Sequence, residues 1–229
     1  MVQKARLIAG LLLGLIFWYA AVIAADYLLV HNFQIEGGAR YALLGLFELV
    51  VGTAIVLLAL RLAGMSAAEA GFTLRGASSD IAIGLGVAIV FGAIQFFVII
   101  PATGGAARSD IVANANQLGD HWSGLAGFFV LSLTGSSAEE FLFRGLLLGG
   151  FALLFNDGIL ARIVATIIVV ALFAFSHGYQ GWAGIVDTGL YGGLLLSLLY
   201  WWRGKRLAAP VAAHVGWNLI ASVGIFLLY

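Results

Sequence analysis

The chain has 229 residues, 62% of them hydrophobic and 10% charged, and a mean hydropathy of +1.07, whereas a water-soluble domain carries about 45–50% apolar and about 25% charged residues. Such a surface cannot be hydrated, so the length is counted in membrane spans of about 20 residues rather than in soluble domains. Eleven Lys and Arg balance eleven Asp and Glu, which leaves no basic tract for nucleic acid, and the lack of cysteine excludes disulfides, thiolate metal sites and a Cys nucleophile.

In chain order, apolar stretches fall at about 7–30, 41–64, 80–103, 122–154, 160–177, 182–202 and 209–228. Each is long enough to cross a hydrocarbon core of ~30 Å. They predict an all-α, polytopic transmembrane helix bundle of seven helices, or eight if the fourth stretch splits. The first stretch, behind Lys4 and Arg6, exceeds the 7–15 residues of a signal-peptide core and reads as a retained span. The connection 65–79 reads as a loop able to lie at the membrane surface. The fourth stretch is too long for one straight span, and Gly135, Ser136 and Ser137 in its middle predict a tilt, kink or break there.

A cytoplasmic N-terminus puts Lys4, Arg6, Arg61, Arg75, Arg162, Arg203, Lys205 and Arg206 on one side, against Arg40 and Arg108 on the other. The expectation is an integral protein of the plasma (inner) membrane in that orientation. Aromatic residues near span ends, Trp18, Trp122, Tyr200 and Trp202 among them, read as an interfacial belt. No internal repeat is visible, which weighs against a transporter built from duplicated halves.

A charged side chain at the centre of a span costs at least ~2.5–3.5 kcal/mol on insertion scales, so an ionisable residue there is a candidate for function. The fourth stretch gathers several in Ser137-Ala-Glu139-Glu140-Phe-Leu-Phe-Arg144. Helical geometry puts Glu140 and Arg144, four apart, on one face, where they pair and fix the rotation of the helix, while Glu139 projects elsewhere with a freer carboxylate. Phe173-Ala-Phe-Ser-His177 closes the fifth span with an aromatic ring against the imidazole. His214-Val-Gly-Trp-Asn218 opens the seventh with an imidazole and a carboxamide on one face. Taken singly, each reads as a packing residue; together, three spans each deliver a group able to move a proton, hold a ligand or donate a hydrogen bond. At 1.5 Å per residue, Glu139 lies ~24 Å from a membrane face near residue 155 and His177 ~22 Å from Arg162, but His214 lies only ~12 Å past Arg206. The third group is too shallow unless the last helix starts below the surface or the fourth is bent.

Glu-Glu-x-x-x-Arg, then Phe-x-x-x-His, then His-x-x-x-Asn, in that order on successive apolar helices over residues 121–220, resembles the signature of the CAAX prenyl protease and bacteriocin-processing (CPBP, or Abi) family. Residues 1–120 carry no recognised motif, and 121–229 hold the catalytic-core-like part of one integral membrane domain. The resemblance implies an intramembrane endopeptidase in which Glu139 and His177 activate a water, His214 and Asn218 donate to the oxyanion, and Glu140 and Arg144 support them. It implies a peptide or protein substrate at the membrane, with lipid as the surrounding partner. Nothing in the sequence reads a prenyl group. No cofactor is favoured, although Glu139, His177 and His214 form a possible His₂Glu zinc set with water in the fourth position. The rival readings are a proton-coupled transporter and a non-catalytic scaffold on the same fold. Of the remaining polar residues, Gln95 reads as a packing group, Asp187 is balanced between a cavity acid and an interfacial residue, and His31 and His121 read as solvated.

Overall fold

A computed structural model describes residues 2–229, with the side chains from residue 3 onward. The described residues contain eight helices and no strand. Six are long and apolar enough to cross a membrane: α1 (Gln3–Asn32), α2 (Gly37–Ala63), α3 (Ala77–Ala102), α6 (Ile159–Ser176), α7 (Gly178–Trp202) and α8 (Ala208–Leu228). Between them lie α4 (Ser109–Leu118) and the long run α5 (122–154). Helix α5 is set apart from those six by its own chemistry, since Ser132, Ser136, Ser137, Glu139, Glu140 and Arg144 interrupt its apolar character. The protein is a polytopic helical membrane protein.

Helix α5 is the axis of the bundle. Helix α2 lies along its first half, α8 along its middle, and α1, α6 and α7 close around the second half. In consequence the stretch 142–150 is buried on every side. Lipid tails provide no hydrophobic drive for helices to associate, so close contact depends on small residues. Gly38 of α2 and Gly127 of α5 supply it: a β-carbon on Gly127 would run into the backbone of Gly38. The outward faces carry Ile16, Phe17, Leu58, Val90, Phe97 and Ile167, all exposed large apolar chains suited to lipid.

The connections are short and local in cause. Helix α2 stops at Gly64, which takes the left-handed conformation (φ 74°) at its C-cap. The turn between α5 and α6 passes through Asn156 (φ 71°) and Asp157 (φ 49°), residue types that tolerate that region. The segment 65–76 folds back over the end of the bundle. There Ala70 and Leu207 are buried and the Leu207 amide donates to the Gly71 carbonyl at 3.3 Å. Helix α8 therefore starts beneath a covering layer, which removes the depth conflict expected for His214.

Two expectations are corrected. Helix α5 does not break at Gly135–Ser137. It stays α-helical to Glu140 and widens to π geometry over Phe141–Leu148. The hydroxyls of Ser132, Thr134 and Ser137 are satisfied within the helix, because each donates to the carbonyl four residues back, at 2.6–2.7 Å. Trp18 and Tyr200 do not face outward as belt residues would: both are buried in the main apolar core, where neighbouring helices enclose them.

The widened turn of α5 is one of a set. Of five π-helical segments among the described residues, four carry a buried polar side chain, Glu48 in Glu48–Gly52, Gln95 in Gln95–Ile99, Arg144 in Phe141–Leu148 and Asp187 in Gly184–Gly192, and Leu28–Asn32 carries none. Such bulges cost helical regularity and cluster at functional sites.

Candidate active site

Helix α5 presents Glu139 and Glu140 at the end of its α-helical half, and neighbouring residues send the two side chains to different surroundings. Glu140 is fully buried. Its Oε1 accepts from Arg144 Nη1 at 2.7 Å, across one turn, and from His214 Nδ1 of α8 at 2.8 Å. Arg144 donates its second terminal nitrogen to the Gly193 carbonyl of α7 at 2.9 Å, and its guanidinium lies 4.7 Å from the centre of the Phe173 ring of α6. The Glu140–Arg144 pair thus ties α5, α6, α7 and α8 together. The Glu139 side chain keeps 28% exposure, and its Oε2 stands 3.8 Å from His214 Nε2.

The two histidines are held alike. A carboxylate only accepts, so His214 Nδ1 carries the hydrogen shared with Glu140, and Nε2 is the nitrogen turned to Glu139. The last turn of α6 leaves the Phe173 carbonyl within 2.8 Å of His177 Nδ1, so this nitrogen also donates and Nε2 is again the free one. The Phe173 ring, 4.6 Å from the His177 ring and 5.8 Å from the His214 ring, stands between them as a rigid spacer. Asn218, one turn beyond His214, donates from Nδ2 to Ser136 Oγ at 2.9 Å.

Glu139, His177, His214 and Asn218 all line one cavity of about 710 Å³. Its wall continues through Glu48, Gln95, Asn114 and Gln180 toward Tyr27, His31 and Gln117, at the end of the bundle opposite residue 2. Gln95 lines the cavity and also accepts from Trp217 Nε1 at 2.5 Å, so it is both wall and packing group. Asp187 is not a cavity acid, since it lies off the cavity lining. It is buried in an ion pair with Arg108, which also holds Asp110 at 2.8 Å, so that α4 is clamped onto α7. Burial pulls the Arg108 guanidinium down, but these two carboxylates outweigh it and hold the group above its usual range. His31 and His121 are exposed.

Three features escaped the sequence reading. The bond from Glu140 to His214 joins two motifs 74 residues apart and has no local signature. Ser136, read only as a helix breaker, is the acceptor for Asn218. Glu48 lay in an apolar span where the rule that singled out Glu139 applies equally.

Glu139, His177 and His214 do not fit the zinc set as they stand: among the described residues, no three His, Cys, Asp or Glu side chains are grouped closely enough to hold a metal ion. The three side chains nonetheless line the same cavity of about 710 Å³, with Glu139 Oε2 3.8 Å from His214 Nε2.

No curated protein and no solved structure matches the chain. Residues 121–220 match the family model described as Type II CAAX prenyl endopeptidase Rce1-like, a segment that contains Glu139, Glu140, Arg144, His177, His214 and Asn218, so the family resemblance carried by the three motifs stands.

Proposed function

We propose that the protein is an intramembrane endopeptidase whose hydrolytic site is the cavity between α5, α6 and α8. The observation that carries the reading is that one wall of a cavity of about 710 Å³ brings together Glu139, His177, His214 and Asn218 from three helices. Glu139 takes a proton from a water as that water attacks the scissile carbonyl. His177, its Nδ1–H occupied by the Phe173 carbonyl, accepts from the same water through Nε2 and fixes its direction of attack. The developing oxyanion is met by the Asn218 amide, which exchanges its bond to Ser136 for one to substrate, and by His214. His214 donates from Nε2 when it carries a second proton, and the charges then balance: Glu139 and Glu140 against Arg144 and His214. Glu139 returns its proton to the leaving amine, so no acyl-enzyme forms.

For orientation we propose a cytoplasmic N-terminus, in the plasma or inner membrane. Arg6, Arg61, Arg203, Lys205 and Arg206 gather at the N-terminal end of the bundle, where Arg6 donates to the Arg61 carbonyl and Arg206 bonds Asp80. The cavity then opens on the opposite side.

The test is incubation of purified protein in nanodiscs with a set of membrane peptides, with and without chelator, and identification of new termini by mass spectrometry. The expected result is cleavage that survives chelation and vanishes with Glu139→Gln. Loss on chelation with rescue by stoichiometric zinc would overturn the water mechanism and leave the peptidase standing. An absence of cleavage together with proton or solute flux in vesicles would overturn the peptidase in favour of a transporter.

A further inference from the structure

The cavity holds an ionisable group that the proposed reaction does not use. Glu48 lies at the start of the π-helical turn of α2, is 6% exposed and lines the same cavity as Glu139. Its Oε2 rests against α5 at Gly135, within 2.6 Å of where a β-carbon would stand, so the glycine makes room for the carboxyl. Gly135 and Glu139 are four apart and share one face of α5, which puts the Glu48 head about one helical turn from Glu139.

Charge accounting around the wall singles Glu48 out. Asp26 is held by Arg40 through two bonds of 2.7 Å, Asp110 by Arg108, and Glu139 faces His214. Glu48 has no hydrogen bond and no ion pair among the described residues. The cationic side chains on that wall are equally committed: among the described residues Arg40 is the one Lys or Arg lining it, and Asp26 occupies it. A carboxylate charge withdrawn from bulk water with no partner is costly, so the group either keeps its proton or gives it up when a positive group arrives to pair with it. The space around it is large enough for a side chain, and the wall offers no uncommitted Lys or Arg to receive a carboxylate.

We propose that Glu48 is the counter-ion for a cationic group of a bound peptide, an ammonium or guanidinium held beside the bond to be cut. Cleavage of the bound peptide rests on the peptidase reading, whereas its binding does not. The pairing makes the site selective for a Lys or Arg side chain or an amino terminus, and unreceptive to a free carboxylate.

The experiment uses Glu139→Gln protein in nanodiscs, where turnover does not intrude, and three otherwise identical apolar peptides: an acetylated one with a central lysine, an acetylated one with norleucine there, and the norleucine peptide with a free amino terminus. Binding is read by fluorescence of a dye on the peptide. At least one cationic peptide should bind about tenfold tighter than the acetylated norleucine peptide. The arm that gains identifies the side chain or the terminus as the source of charge. Adding Glu48→Gln should reduce the preference to within about twofold. Its thermal unfolding should match that of the parent, because no bond is lost. Equal binding of the three peptides, no binding of any, or a preference that survives Glu48→Gln overturns the proposal. Cleavage-site mapping with the wild-type protein separates the two readings: charge-selective binding without any cleavage sinks the peptidase and keeps the cation site, and cleavage without charge selectivity does the reverse.

Discussion

Two groups of ions in this molecule each pair one carboxylate with two basic side chains and have opposite physical standing. In the middle of the bundle, Glu140, Arg144 and His214 are fully or almost fully buried and bond to one another at 2.7–2.8 Å. At the end bearing the N-terminus, Asp157 bonds Lys205 at 2.6 Å, as short as the inner bonds, and Arg162 at 3.2 Å, yet these side chains keep 24–42% exposure. Distance alone does not rank them. Water can replace a lost partner at the end of the bundle and cannot do so in the middle. The inner group therefore fixes geometry at high stake, whereas the outer group joins connections at low stake.

The largest effect expected in the inner region is on chemistry alone. Glu139→Gln keeps the shape and removes the base, so hydrolysis should fall to background while the melting temperature moves little, because the 28% exposed carboxylate has only a 3.8 Å contact to lose. A variant that retains a tenth or more of wild-type turnover would assign the base elsewhere. Arg144→Ala should do the reverse. It strips Glu140 of its cation inside the bundle and removes the guanidinium's bond to the Gly193 carbonyl, which keeps only the Ser197 hydroxyl as a side-chain donor, a loss of ~3–5 kcal/mol. Unfolding in mild detergent followed by far-UV circular dichroism measures it. Normal stability with lost turnover would make Arg144 part of the reaction rather than of the framework.

Asn218→Ala comes next, at ~10² to 10³ in kcat with an almost unchanged KM, as for the removal of one oxyanion donor. Ser136→Ala is its companion, because Ser136 accepts the amide in the resting structure. If Asn218 releases that bond to reach substrate, Ser136→Ala should cost far less than Asn218→Ala. Equal losses would mean that the bond itself positions the helices.

The same contrast between inner and outer ions bears on what a sequence can carry. The fold class follows from composition, since long apolar runs have one way to satisfy their backbones in lipid. The pairing of Glu140 with Arg144 was legible because helical spacing puts them on one face. The bond from Glu140 to His214 was not, because it depends on how deep α8 starts, and that is set by the 65–76 segment folding over Leu207. Of the tilt, kink or break expected at Gly135–Ser137, the break is absent for a related reason: a glycine in a helix signals a kink or a close approach, and only the neighbouring helix decides which. Here the neighbour is the carboxyl of Glu48. Asp187 was ambiguous because its partner, Arg108, sits 79 residues away on a connection that reads as solvent-exposed.

The smallest effect belongs to the outer region and is the one that depends on pH. Burial pushes the Asp157 carboxyl up, but hydrogen bonds from Lys205 and Arg162 outweigh it and hold the group below the usual carboxylate range. A carboxyl with a depressed folded-state pKa contributes stability that is complete above its unfolded value of about 3.9 and is lost as the pH falls through the lower folded value. Asp157→Asn should therefore lower stability by less than ~1 kcal/mol at pH 7, with a smaller difference in high salt, and the gap to wild type should close only below about pH 4. Thermal unfolding of both proteins at pH 7, 5 and 3.5, with and without added salt, reads this directly. A gap that is already closed at pH 5 would mean that the carboxyl is not held low. A gap of several kcal/mol at neutral pH would place Asp157 with the buried ions of the interior and erase the contrast between the two regions.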